Sequence, residues 1–301
     1  MTYTISAVIP TRNRPEDLVR AVLSIRDQKR KPEELIIVDQ SEGHDSRLLI
    51  EPIMSEVKHI KLVYVHDPRI SGLVDAKRFA AKIAKSDLVC YFEDDVILSS
   101  NYLQEIEQGF HEQPSMLGCS GVISNVPNPT FIYRFVHALF FQGIFKDPRP
   151  KLFHKSVDTK KSLVLCDVLC GGLSAWKKEV LSEIPFDVNN GFFMFEDMEY
   201  STRVVHQYGH KLYINQRAHL EHHCSTVNRD PHGLRQKRKL TESILFYKKR
   251  VNWSGAKRGL FFAMIWWLAE SILRAIKLFS FTPIRGYFQG ILAGISTKLT
   301  G

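Results

Sequence analysis

Apolar and polar positions alternate through most of the chain in a way that predicts strands and helices in turn. Residues 4–9 form an apolar run suited to a buried strand, and after a polar loop Leu18, Val22 and Ile25 recur at helical spacing. Pro15 sits where a first helical turn accepts it, and Glu16 and Asp17 suit the positive helix end. Residues 34–38 supply a second strand, so the opening is a βαβ unit and implies a parallel sheet with right-handed crossover. The alternation continues with a helix over 45–57, a strand over 60–65, a helix over 73–84 and a strand over 88–92. Beyond lie a helix over 101–110, strands over 117–124 and 164–168, helices over 176–184 and 196–208, and a short strand over 211–214. The expected fold is α/β, a Rossmann-like, mostly parallel sheet flanked by helices. No G-x-G-x-x-G follows the first strand, which argues against a dinucleotide fingerprint.

Two stretches break this rhythm. Residues 126–161 contain Pro127, Pro129, Pro148 and Pro150 and an aromatic-rich segment, 131–145, that reads as core-forming. Such an insertion is a lid or acceptor-side segment, or an ordinary insertion. From residue 259 the composition shifts. The apolar run 260–269 is about half the roughly 20 residues a membrane-spanning helix needs. Glu270, Arg274 and Lys277 then share one helical stripe, Pro283 breaks the segment, and 284–295 reads as a second amphipathic helix.

Charge sharpens the picture of this tail. The net charge is +9, and residues 229–258 alone hold ten Lys/Arg against Asp230 and Glu242. A basic patch followed by a Trp-bearing amphipathic helix fits a segment lying in a membrane interface. It also fits a helix packed on the main domain or on a second copy of the chain, as a homo-oligomer. Charge confined to one patch argues against a nucleic-acid partner. The division expected is a catalytic domain over 1–228 and a basic, amphipathic helical extension over 229–301. Five cysteines without disulfide spacing, and an N-terminus that leads directly into a strand, point to a reduced, cytoplasmic chain on the inner face of the plasma membrane.

The strand over 88–92 runs straight into Glu93, Asp94 and Asp95. Three adjacent carboxylates at the end of a buried strand repel one another and lose hydration. A hard cation such as Mg²⁺ or Mn²⁺ relieves that conflict, taking carboxylate oxygens together with substrate phosphates. The carboxyl edge of a parallel sheet is where open α/β folds bind ligands. A solvated acidic turn is the alternative. A second cluster, Glu196, Asp197 and Glu199, falls at a loop-to-helix junction, where carboxylates also serve as caps. Gly171 and Gly172 let a backbone approach a ligand, or make a turn. Among His219, His222 and His223, one imidazole completing the shell of the first acidic cluster is favoured over zinc-finger ligation; an ordinary surface or core histidine is the other reading.

Taken in order, Val8-Ile9-Pro10-Thr11-Arg12-Asn13-Arg14, Ile37-Val38-Asp39-Gln40-Ser41, Gly72-Leu73-Val74-Asp75-Ala76-Lys77-Arg78, Tyr91-Phe92-Glu93-Asp94-Asp95, Cys170-Gly171-Gly172 and Phe195-Glu196-Asp197-Met198-Glu199 form a set. This set resembles the family 2 glycosyltransferases of the GT-A fold over residues 4–225. The resemblance implies an inverting transferase that uses a nucleotide-sugar donor, a divalent Mg²⁺ or Mn²⁺, and a glycan or lipid-linked acceptor. It implies that Pro10, Thr11, Arg12 and Arg14 lie along the nucleotide, that Asp39 with Gln40 meets the base, and that Lys77 sits near the diphosphate. Asp94 would contact the ribose, Gly171 and Gly172 would border the sugar, and Asp95 with His222 (or its neighbour His223) would hold the metal. Asp197 takes the part of general base, with Glu196 beside it.

Two departures from the family pattern are Asp39-Gln40-Ser41 in place of a double Asp, and Lys77-Arg78 in place of Arg-Asn. They bear on the base and on the diphosphate contacts. A nucleotidyltransferase making the sugar nucleotide is the other enzyme class, disfavoured because loop 10–14 lacks glycine. A non-catalytic nucleotide- or sugar-binding scaffold is disfavoured by Asp95 and Asp197.

Overall fold

The computed structural model describes residues 2–127, 129–145, 161–189, 192–227 and 230–299. In chain order its elements are β1 (Ile5–Thr11), α1 (Pro15–Arg26), β2 (Glu34–Asp39), α2 (Asp45–Ser55), β3 (Lys61–His66), α3 (Leu73–Ile83), β4 (Leu88–Tyr91), β5 (Val96–Leu98), α4 (Tyr102–Glu112), β6 (Gly118–Ile123) and α5 (Phe131–Phe140). They continue with β7 (Leu163–Cys166), β8 (Ser174–Lys177), α6 (Lys178–Glu183), α7 (Glu196–Tyr208), β9 (Leu212–His222), α8 (His232–Lys249), α9 (Ala256–Leu278) and α10 (Thr282–Ser296). The chain divides into two compact units. One holds the described residues of 1–127, 151–186 and 200–227; the other holds those of 128–150, 187–199 and 228–301.

The first unit is built on one sheet of nine strands, ordered β3-β2-β1-β4-β8-β6-β9-β5 with β7 on β9. β1 to β4 run parallel, as the βαβ reading requires. β8 enters antiparallel to both β4 and β6. Side chains of successive strand residues go to opposite faces, and here both faces are apolar. Ile5, Ala7, Ile9, Leu35, Ile37, Leu88 and Cys90 enter one core with α1 and α4. Val8, Ile36, Val38, Val89 and Tyr91 enter the other with α3 and α6. Burial on both faces explains why these strands are continuous apolar runs.

Several details differ from the sequence expectation. Trp176 belongs to strand β8, so the helix starts only at Lys178. The last strand is eleven residues long and reaches His222. That extension carries an imidazole to the carboxyl edge of the sheet.

The second unit is not the tail alone. The stretches 128–150 and 187–199 join 228–301, so the expected boundary near 228 separates the chain differently from its packing. Its core is aromatic: Phe145, Phe195, Phe246 and Trp267 meet with ring centroids 5.6–6.3 Å apart. α10 lies close on α8 because glycines line the contact. A Cβ on Gly286 would stand 2.0 Å from the Gly233 carbonyl oxygen, and one on Gly290 would stand 2.4 Å from that of Lys237. α5 corrects a further expectation. Its aromatic stretch is not core: Phe131, Ile132, Tyr133, Phe135 and Leu139 are exposed, and only Ile144 and Phe145 beyond it are buried. The remainder of the insertion, 146–160, lies outside the described residues.

Candidate active site

Where β4 ends, the three consecutive acids turn to different partners. Asp94 is buried and faces loop 10–14: Thr11 Oγ1 donates to its Oδ2 at 2.8 Å and an Arg14 Nη donates to its Oδ1 at 3.0 Å. Burial pushes the Asp94 carboxyl up to about 6, against the pull of Arg14 and Thr11. Glu93 and Asp95 turn instead to the end of β9. Nε2 of His222 lies 3.0 Å from Glu93 Oε2 and 3.1 Å from Asp95 Oδ1. The backbone N–H of Ser225 donates to the other Asp95 oxygen at 2.8 Å, and that of His223 to the Asp95 carbonyl at 2.9 Å.

These contacts set the electrostatics. Burial alone would raise Asp95, but His222, the Ser225 N–H and Arg14 outweigh it and hold the carboxyl down at about 2. Asp95 and then Glu93 raise His222 to about 10, burial opposing them. Glu93, Asp95 and His222 bring one ligand atom each within 4.8 Å of one another. Two carboxylate oxygens and an imidazole nitrogen make a donor set that suits Mn²⁺ or Mg²⁺. Asp95 Oδ1 is buried with no well-aligned hydrogen bond among the described residues. The residues therefore fit a divalent ion.

Glu93 was not singled out as a ligand by sequence reasoning, although the signal was in the triplet: successive carboxylates in extended backbone point to opposite sides, so Glu93 and Asp95 share one. Between the two histidines the geometry is unambiguous. His222 faces the cluster, while His223 Nε2 pairs with Glu221 at 2.9 Å. Gly172 abuts the same cluster. The Glu93 N–H donates to its carbonyl at 3.0 Å, and a Cβ on it would meet the Glu93 carboxyl carbon at 2.4 Å.

The other expected donor residues take different places. Arg12 is exposed on loop 10–14, and Pro10 is buried in β1. The Asp39 carboxylate is fully enclosed, accepting the Ser41 N–H at 2.9 Å and the Tyr64 hydroxyl at 2.6 Å. Its oxygens brace the β2 end rather than open into solvent. Gln40 Oε1 accepts the Gly72 N–H at 2.8 Å, at the start of α3, where Gly72 adopts φ +88°. Lys77, expected near the diphosphate, is only 2% exposed, with its Nζ on the Gly171 carbonyl at 2.9 Å. It supports the glycine turn from beneath.

Glu196 and Asp197 lie in the second unit, in the first turn of α7. Glu196 is buried, and Asp197 Oδ1 accepts the N–H of Met198 at 2.7 Å. Glu199 is buried against Lys249 Nζ at 3.0 Å. The residue that sequence reasoning missed here is Glu242, which holds the loop before α7.

Comparison with known proteins now decides the family. The description "Glycosyl transferase family 2" matches residues 6–184, more than half of the chain and the part that contains β1 to β4, the acid triplet and the glycine turn.

The chain belongs to glycosyl transferase family 2.

No curated protein sequence matches it. Two solved glycosyltransferases share its architecture. The mannosyltransferase PcManGT from Pyrobaculum calidifontis, in complex with GDP-Man and Mn²⁺, superimposes with a TM-score of 0.61 at 14% identity, over 99% of this chain and 77% of that one. GalNAc-T7 with UDP, GalNAc and Mn²⁺ superimposes with a TM-score of 0.56 at 20% identity, over 73% of this chain and 44% of that one. At these identities the likeness establishes the fold, which is of the GT-A type.

Proposed function

We propose that this family 2 member is an inverting transferase that moves a sugar from a nucleoside-diphosphate donor to a hydroxyl of a lipid-linked or polysaccharide acceptor. The observation that carries the reading is the convergence of Glu93, Asp95 and His222 at the carboxyl edge of the parallel strands. Both structural neighbours were solved with a nucleotide and Mn²⁺, and the donor set here suits the same ion. A divalent ion held by these three residues supplies Lewis-acid stabilisation of charge on the leaving diphosphate. Asp94 fixes Thr11 and Arg14 along the nucleotide, and Arg12 lies along it from the same loop. Asp39 and Gln40 brace the β2 end that borders the nucleoside. Lys77 supports the Gly171–Gly172 turn, which borders the sugar.

Inversion requires the acceptor oxygen to attack from the face opposite the leaving group and to lose its proton as it does so. Asp197, at the start of α7, takes that proton, with Glu196 next to it. A carboxylate in this role contributes roughly 10²–10⁴-fold.

A membrane surface is the proposed setting. Among the described residues one helix, Ala256–Leu278, is long and apolar enough to cross a membrane. Its Ala256, Gly259, Ala263, Trp267, Ser271 and Ala275 form one buried stripe, while Phe261, Ile265, Leu273 and Ile276 are exposed. A helix packed along one side and apolar along another fits an interfacial position better than a span. Phe279 and Phe281, between α9 and α10, are 98% and 83% exposed.

The basic run adds less to this setting than its charge suggests. Arg238 pairs with Asp230, Lys239 with Glu270, and Lys249 and Arg250 with Glu199. Arg235, Lys237, Lys257 and Arg258 stay exposed.

A thermal-shift panel tests the donor reading. GDP, UDP, GDP-mannose and UDP-N-acetylgalactosamine are each added with and without Mn²⁺. Stabilisation that needs nucleotide and metal together is expected; no shift with any combination would sink it.

A further inference from the structure

Glu242 lies near the middle of α8, within the most basic stretch of the chain, and is only 3% exposed. Its neighbours on the helix, Leu240, Ile244, Leu245 and Phe246, are buried and apolar. An ionised carboxylate is costly in such a place unless its hydrogen bonds are made. Here a single oxygen, Oε2, accepts three consecutive backbone N–H groups: Phe193 at 3.0 Å, Met194 at 2.7 Å and Phe195 at 3.1 Å. Hydrogen bonds to an ionised acceptor are roughly twice as strong as neutral ones. Burial raises the Glu242 carboxyl to about 7 against the downward pull of the three N–H groups and Arg238.

The three residues so gripped lead directly into Glu196 and Asp197. Further along α8, Phe246 stacks on Phe195. Lys249 then binds Glu199, and Arg250 donates to the Glu199 carbonyl at 3.2 Å. The helix thus holds the chain immediately before and immediately after Asp197. A leucine at position 242 would satisfy packing alone, so a buried acid there answers to the three amides.

We infer that Glu242 is a positioning residue for Asp197: by fixing the 193–195 turn it presents the Asp197 carboxylate in one orientation at the start of α7. The inference rests on Asp197 being the general base, and the test separates the two. Full-length wild type, Glu242→Ala, Glu242→Gln and Asp197→Asn are compared with Mn²⁺ and GDP-mannose or UDP-N-acetylgalactosamine, whichever the panel selects. Release of GDP or UDP gives kcat and KM, and backbone hydrogen exchange is followed at 193–195.

Glu242→Ala is expected to speed exchange at these amides at least tenfold while β1 to β4 keep their protection. It is expected to lower kcat at least tenfold with donor KM within twofold. Glu242→Gln, which keeps an acceptor oxygen without its charge, falls between and serves alone if the alanine variant does not fold. Unchanged exchange at 193–195 overturns the inference, as does a kcat within twofold of wild type, or a KM that moves as far as kcat. Full turnover by Asp197→Asn removes the base assignment; exchange at 193–195 then still reports whether Glu242 holds the turn.

Discussion

The two acidic clusters look alike as strings of letters and are assembled in different ways. Glu93, Asp94 and Asp95 are placed by the sheet: β4 delivers them and β9 brings His222 opposite. Glu196, Asp197 and Glu199 begin a helix and depend on a distant segment, with Glu242, Lys249 and Arg250 supplying the contacts. The first cluster gathers Glu93 and Asp95 on one imidazole. The second parts them, burying Glu199 in an ion pair and leaving Asp197 partly exposed. Strand ends set geometry through backbone register, whereas loop-to-helix junctions borrow it from side chains elsewhere.

The sharpest way to break this comparison is at the sheet. Asp95→Ala removes a proposed metal ligand and the acceptor of the Ser225 N–H; turnover with Mn²⁺ is expected to fall by about 10²–10³-fold, the size of losing one preorganised electrostatic contact. Activity near wild type in a metal titration would detach Asp95 from the chemistry. At the other cluster the expected loss is in stability. Lys249 sits between Asp187 and Glu199, both buried or nearly so. Lys249→Met should cost about 3 kcal/mol in urea unfolding, because two acids lose their shared cation. A change below 1 kcal/mol, on that same scale, would show the pair to be dispensable.

Gly172→Ala is milder. The added methyl displaces the flexible end of Glu93, so calorimetry should find Mn²⁺ affinity about tenfold weaker. Unaltered affinity would take Glu93 out of the metal shell. The smallest effect belongs to the tip of the tail, where Phe279 holds φ +48° at 98% exposure. Phe279→Gly relieves that backbone and should stabilise the protein by up to about 1 kcal/mol. Flotation with phosphatidylcholine–phosphatidylglycerol vesicles should nonetheless weaken. A stabilised variant that still floats as well as wild type would speak against insertion of this tip.

The sequence was most readable where burial is two-sided. β1, β2 and β4 are continuous apolar runs, and the motifs along their carboxyl ends disclosed the family and the acid triplet. It was least readable where structure is borrowed. β5 and β8, of three and four residues, exist because β9, β4 and β6 pair with them. α8 lay within a stretch read only broadly as a basic, helical extension, although Leu240, Ile244 and Leu245 mark its buried side. Lys77 occupies the buried face of α3 beside Ala76 and Ala80, a position that charge alone would never suggest. The aromatic stretch of α5 misled in the opposite sense, since apolar composition reports affinity for a partner without saying where the partner lies.

The second unit is stitched from three separated stretches, and its ties run backwards along the chain. Glu242 reaches back 47 to 49 residues to the turn before α7. Lys249 and Arg250 reach back 50 and 51 to Glu199. A protease that clips the chain just before residue 242 leaves Glu93, Asp95 and His222 in place, yet removes every one of these fastenings. Such a cut is therefore expected to loosen the turn before α7 sooner than the cluster at the sheet edge.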